Sequence, residues 1–165
     1  MPTFSRRQAT RLLALTCLPA AALLAGCDNT PTVIKIGVAQ PMSGNLASLG
    51  QDMYNGVKLA VDELNKDGFK IKGKPVTLEI IAVDDRANAD TGKQVAQQLV
   101  DAGVVAVIGH LNSGVSIAAA PIYAAKNISQ LAISTNPKYT ELGLPTTFRL
   151  VGNDTLQAKA IGSFA

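Results

Sequence analysis

From residue 33 onward the chain alternates short β-branched runs with stretches of helical period. That alternation limits its fold more than any other feature. Strand-like runs lie at 33–38, 76–83, 104–108, 131–134 and 147–151. Between them, 51–66 carries Met53, Val57, Ala60, Val61 and Leu64 on one face of a helix. Further helices are predicted over 89–101, 115–126 and 154–165, with Pro121 a point of bending in the third. Asp67-Gly68 stops the first helix, and Lys72-Gly73-Lys74-Pro75 makes 68–75 a small hairpin lead-in. Residues 41–45 and the stretch between the last two strands read as loops. The order β-α-β-α-β-α-β-loop-β-α predicts an α/β fold, a doubly wound parallel sheet with helices on both faces. The unbroken apolar run 104–108 predicts a strand buried on both sides. Ligands of such sheets bind beyond the strand carboxyl ends, at a topological switch point.

The N-terminus follows a different plan. Arg6, Arg7 and Arg11 precede the apolar stretch 12–25, whose 14 residues are too few to span a bilayer of roughly 30 Å as a helix. A positive segment followed by such a stretch reads as a secretory signal. It ends Leu24-Ala25-Gly26-Cys27, which resembles a bacterial lipobox. The expectation is a lipoprotein signal peptide over 1–26, lipidation at Cys27 and a tether over 27–32. Buried acyl chains contribute roughly 0.8 kcal/mol per CH₂ and would hold the protein at a membrane surface. Ser5-Arg6-Arg7-Gln8-Ala9 resembles part of a twin-arginine signal, and a plain Sec signal stands beside it as the alternative. With Cys17 in the removed segment and Cys27 acylated, no thiol remains for a disulfide, a zinc site or a nucleophile.

Those three arginines also account for the net charge of +3, because 12 basic and 12 acidic residues follow from Cys27 onward. A basic surface for nucleic acid is therefore not supported. At 165 residues with 47 % hydrophobic content, the chain reads as one folded domain rather than a disordered one.

Little in the sequence points to catalysis. His110 is the one histidine, and a lone histidine after a buried strand reads as packing or a loop hydrogen bond before it reads as a general base. Asp84-Asp85 closes the second strand. A metal or phospho-acceptor site is one reading of it, and a helix cap with a loop-fixing acid is the favoured one. No HExxH, CxxC, GxSxG or GxGxxG pattern occurs. Binding is better supported. Strand three runs into Gly109-His110-Leu111-Asn112-Ser113-Gly114 before a helix, with Ser113 at the N-cap position. Ser113 is either only a cap or part of an anion site at that helix start. The next strand runs into Ile133-Ser134-Thr135-Asn136-Pro137. Hydroxyls both donate and accept. Two such clusters on neighbouring strands suit a small zwitterion.

Several stretches then fall into a known order: Pro41-Met42-Ser43-Gly44, Gly50 to Asn65, Val83-Asp84-Asp85, Val107-Ile108-Gly109-His110, Pro121-Ile122-Tyr123, Thr135-Asn136-Pro137 to Thr140, Phe148-Arg149, and Asp154 with Gln157. Together these resemble the periplasmic branched-chain amino-acid-binding proteins of ABC transporters, which have the type I periplasmic-binding fold. The resemblance implies that Ser113 holds the ligand carboxylate and Thr135 bridges carboxylate and ammonium. It implies that Leu111 lines the pocket and that Leu49 packs on the ligand side chain. Ser134 stands directly beside Thr135, where the family usually places about two small residues between them, which puts leucine-type specificity in doubt. The family has two lobes, and the expectation is that 33–165 is the first of them. A single wall of the cleft predicts millimolar binding at best, roughly −4 kcal/mol. The implied role is the extracytoplasmic solute-binding component of an importer. Its partners would be an amino acid, an inner-membrane ABC permease and, through Cys27, the membrane, in the periplasm or on the outer face of the cytoplasmic membrane. No cofactor, metal or enzymatic activity is expected. A ligand sensor on the same fold and a non-functional single-lobe remnant are the alternatives.

Overall fold

The computed structural model describes residues 32–164. The expected signal peptide, the expected lipidation site Cys27 and most of the expected tether lie outside the described residues. Strand β1 (Thr32–Gln40) leads through a 3-10 turn (Gly44–Leu46) into helix α1 (Ala47–Lys66). There follow β2 (Lys70–Ile71), β3 (Lys74–Asp84), α2 (Ala89–Asp101), β4 (Ala106–Gly109) and α3 (Ser113–Ala124). The chain continues through β5 (Ser129–Ala132), α4 (Lys138–Glu141), β6 (Thr147–Arg149) and α5 (Asp154–Phe164).

The strands form one sheet in the order β2-β3-β1-β4-β5-β6. All pairings are parallel except β2 on β3, the hairpin lead-in anticipated over 68–75. The described residues begin with β1 inside the sheet, add β3 on one side of it, then cross to add β4, β5 and β6 on the other. The winding therefore reverses between β1 and β4, which makes their carboxyl ends the switch point.

Helices α2 and α3 cover one face. Their core joins Ala39, Ala96, Leu99, Val104, Val107, Ala119, Tyr123 and Ile128. Gly37 lets Leu99 and Val107 come close, since a Cβ there would meet both at 3.0 Å. Helix α1 lies on the opposite face. Its end is fixed by Asn65, whose side chain receives the Leu78 N–H at 2.8 Å and donates to the Leu78 carbonyl at 2.9 Å. Its start is fixed by Gly50, where a Cβ would stand 2.1 Å from the Pro41 carbonyl oxygen. The five apolar residues assigned to the face of α1 line a 480 Å³ groove against Ile36, Leu78 and Ile108. Val61 is buried, but Ala60 and Leu64 remain exposed.

Several boundaries differ from the sequence reading. Helix α1 starts at Ala47 rather than 51, because the 3-10 turn feeds directly into it. Strand β4 is only Ala106–Gly109, and Val105 is 54 % exposed, so the apolar run is not buried on both faces. On the α1 side of the sheet Phe148 is 47 % exposed and Leu150 57 %. Strand β5 lies two residues earlier than expected, which places Ile133 and Ser134 in the loop beyond it. A short helix, α4, stands where a loop was expected between β5 and β6; Tyr139 holds it by donating its phenol to the Gln130 carbonyl at 2.9 Å.

Candidate functional site

The two hydroxyl clusters emerge from β4 and β5, adjacent parallel strands with Ile108 opposite Leu131. Parallel pairing brings both loops to the same edge of the sheet, beside the switch point. Gly109 permits the first loop to leave. Its φ of +151 suits glycine, and a Cβ would lie 2.1 Å from the Ala39 carbonyl oxygen.

Helix α3 begins one residue earlier than an N-cap at Ser113 requires. Asn112 takes the cap position, Ser113 is the first helical residue, and the Asn112 side chain makes no cap hydrogen bond. The first N–H groups of a helix have no acceptor within it. Here the N–H groups of Ser113 and Gly114 stand with the Ser113 hydroxyl at the positive end of the helix dipole. Ser113 Oγ accepts the backbone N–H of Asn136 at 3.3 Å, which leaves its own hydrogen to donate.

The second loop is held from the far side. The Arg149 guanidinium donates to the Ser134 carbonyl, to the Pro137 carbonyl at 3.2 Å and to Thr140 Oγ1 at 2.8 Å. It also lies over the Tyr139 ring, 5.7 Å from the centroid. The N–H of Asp154, at the start of α5, donates to the Thr135 carbonyl at 2.8 Å.

The structure thus brings Ser113 and the Thr135 loop together and leaves Ser113, Thr135 and Leu111 half-buried at this edge. Ser134 lies deeper. It is buried, and its hydroxyl donates to Ser116 Oγ at 2.5 Å. Leu49 sits in the first turn of α1, 50 % exposed, beyond the carboxyl end of β1.

The paired acids are loop-fixing groups. Asp84 Oδ1 accepts the N–H groups of Met42 at 2.8 Å and Arg86 at 2.9 Å. Burial works against the Asp84 charge, but the Ser43 hydroxyl, the two N–H groups and the Arg86 guanidinium outweigh it and hold this carboxyl below its usual range. Asp85 turns inward, with Oδ1 on the Ala87 N–H at 2.8 Å and Oδ2 2.6 Å from His110 Nδ1. The helix cap expected of the pair belongs to Asn88, whose side chain accepts from Asp90 and Thr91. Among the described residues no group of three or more His, Cys, Asp or Glu side chains is gathered for a metal ion.

Sequence reading missed Arg149 and Ser116 as organisers of this edge. Arg149 lies in the Phe148-Arg149 stretch but with no role read for it, Ser116 lies in no motif, and both act through backbone carbonyls or hydroxyls that only the tertiary fold brings within reach.

Comparison with known proteins bears on the fold and the family. The chain is 39 % identical over 132 residues to the Leu/Ile/Val-binding protein homolog 2 of Brucella abortus, covering 79 % of this chain and 35 % of that protein. It therefore spans about a third of the length of that curated relative. Among solved structures it resembles an ABC transporter substrate-binding protein of Desulfitobacterium hafniense in complex with Leu, with 35 % identity and a TM-score of 0.68, over 80 % of this chain and 38 % of the other. It also resembles a solute-binding protein of an ABC transporter from Rhodopseudomonas palustris BisB5 in complex with 3,4-dihydroxybenzoic acid, with 29 % identity and a TM-score of 0.63, over 73 % and 32 %. The sequence pattern of the periplasmic binding protein family matches residues 33–165. That match takes in the whole of the wound sheet and its helices, and the chain belongs to the periplasmic binding protein family.

Proposed function

We propose that this chain supplies one wall of an extracytoplasmic binding site for a small carboxylate-bearing solute, a branched-chain amino acid foremost, within the substrate-binding component of an ABC importer. The observation that carries this reading is the Ser113–Asn136 bond, which gathers a helix N-terminus, a free hydroxyl hydrogen and Thr135 at one edge. A carboxylate at the start of α3 meets N–H donors, the helix dipole and the Ser113 hydroxyl. Thr135 accepts from an ammonium and donates to the carboxylate. Leu111 and Leu49 offer apolar surface for an aliphatic side chain. The bound ligands of the two structural relatives, leucine and 3,4-dihydroxybenzoic acid, share a carboxylate on an otherwise different body.

The role is binding rather than catalysis. His110 Nε2, the atom a general base would use, faces Tyr123 at 3.3 Å in a fully buried setting. Delivery goes to a membrane permease, and the lipobox assigns Cys27 as the lipid anchor, with export by the Sec or twin-arginine route.

Competition by equilibrium dialysis tests the reading. L-Leucine is expected to bind at about millimolar strength, since one wall supplies few contacts, and to outcompete leucine amide and isoamylamine, which lack the carboxylate. Equal binding of all three would overturn the carboxylate assignment.

A further inference from the structure

Beneath the edge just described lies a buried polar array that the binding reading does not use. His110, Asp85, Tyr123, Ser116 and Ser134 are all fully buried, so none of them can touch a solute in the crevice. They come from four parts of the fold: the loop after β3, the loop after β4, helix α3 and the loop after β5. Burying so many polar groups is costly unless each finds partners.

Each does. Asp85 spends one oxygen on the Ala87 N–H and the other on His110 Nδ1 at 2.6 Å. Tyr123 directs its phenol at His110 Nε2 from 3.3 Å, with the two rings stacked at 6.2 Å. Burial, reinforced by the Asp85 carboxylate, pushes the Tyr123 phenol well above its ordinary range, so it remains a donor. A neutral imidazole with its hydrogen on Nδ1 satisfies all three side chains. A protonated ring would make Nε2 a donor and deprive the phenol hydrogen of its acceptor. Ser116 Oγ is equally spent. It accepts the His110 N–H at 3.3 Å and the Ser134 hydroxyl at 2.5 Å, and it donates to the His110 carbonyl at 3.1 Å.

We infer that Asp85, His110, Tyr123 and Ser116 are positioning residues for the binding edge. The first three lock the imidazole, and with it the backbone entering Leu111-Asn112-Ser113. Ser116 carries that setting across to Ser134, and so to Thr135 and Asn136. Two struts then join the loops, Ser116–Ser134 below and Ser113–Asn136 above, with Thr135 between them. This assignment rests on the binding reading for its ligand, but its structural half stands on the array alone.

The test is NMR on the isotope-labelled protein with L-leucine as the probe. His110 is the only histidine in the chain, so the long-range ¹H–¹⁵N spectrum reports one imidazole, expected in the Nδ1–H form. Tyr123→Phe removes a single oxygen and keeps the ring. It is expected to keep the Nδ1–H form, which Asp85 holds, while moving the Nε2 signal, shifting the amides of 111–113 and 135–136, and weakening leucine binding about 3- to 10-fold. Ser116→Ala is expected to leave the tautomer in place while shifting the same amides and weakening leucine. Val76→Ala, a buried position near the start of β3 and outside the cluster that holds Tyr123, is expected to change neither those amides nor the affinity. Amides of 111–113 and 135–136 that stay put in both folded array variants would overturn the proposal, as would leucine affinity unchanged in both. Should the wild-type protein give no response to leucine, the binding reading falls by itself. The positioning claim is then decided on the amides alone, supported if they move and overturned if they do not.

Discussion

Ser113 Oγ accepts the backbone N–H of Asn136 at 3.3 Å, and through this bond the start of α3 is tied to the loop after β5. The hydroxyl is left with a hydrogen to donate, at the positive end of a helix. Ser113→Ala removes both the tie and the donor. A hydrogen bond to a charged group contributes about 1.5–3 kcal/mol, so affinity for L-leucine should fall by about one order of magnitude or more. Calorimetric titration gives the affinity, and a thermal melt should show the fold little changed.

Arg149 acts from the other side of the same loop. It spans the Ser134 and Pro137 carbonyls and Thr140, and its guanidinium plane lies over Tyr139. Lysine keeps the charge but loses the fork. Arg149→Lys is expected to cost about 1–3 kcal/mol in urea unfolding and to weaken leucine binding, because the loop carrying Thr135 loses its outer support.

Asn65 offers a prediction about stability alone. Its amide satisfies both backbone groups of Leu78, so Asn65→Ala leaves a donor and an acceptor unpaired beneath α1. The expected loss is about 1–3 kcal/mol in urea unfolding, with leucine affinity unchanged.

Gly50→Ala places a methyl group 2.1 Å from the Pro41 carbonyl oxygen. Neither backbone can yield cheaply, and α1 must move off the end of β1. A destabilisation of about 2–4 kcal/mol is expected, read as a lower melting temperature, together with displaced amides around Leu49.

Asp84 gives a pH dependence of definite sign. Its folded-state carboxyl lies below the usual range, held there by Ser43, Met42, Arg86 and the nearby guanidinium against the opposing effect of burial. The unfolded chain therefore binds the proton more readily. This contribution is fully present above the unfolded value, near pH 4, and is lost as pH falls through the folded value. Asp84→Asn should lower stability at pH 7 and flatten the acid limb of the stability curve below about pH 4.

The fold was legible because its signals are local. The β-branched runs at 33–38 and 76–83 and the one-sided spacing of Met53, Val57 and Val61 each fix an element without tertiary help, and the helix over 89–101 falls within the boundaries read from its sequence. Strand ends were less legible. Where β4 starts and β5 stops depends on the register of their partners, not on the apolarity of Val105 or Ile133. The candidate edge was legible as two hydroxyl clusters, since Ser113 and Thr135 stand beside strand ends in the sequence itself. The array below it was not. Asp85, His110 and Tyr123 are separated by 25 and 13 residues and meet only because β3, β4 and α3 converge.

The most direct test of the account is an amide-resolved NMR titration of the protein with L-leucine into the millimolar range. The account predicts saturable shifts at Leu111, Ser113, Gly114, Thr135 and Asn136, with lesser ones near Leu49. Shifts confined to the apolar groove beneath α1, or none at all at the carboxyl edge of the sheet, would contradict it.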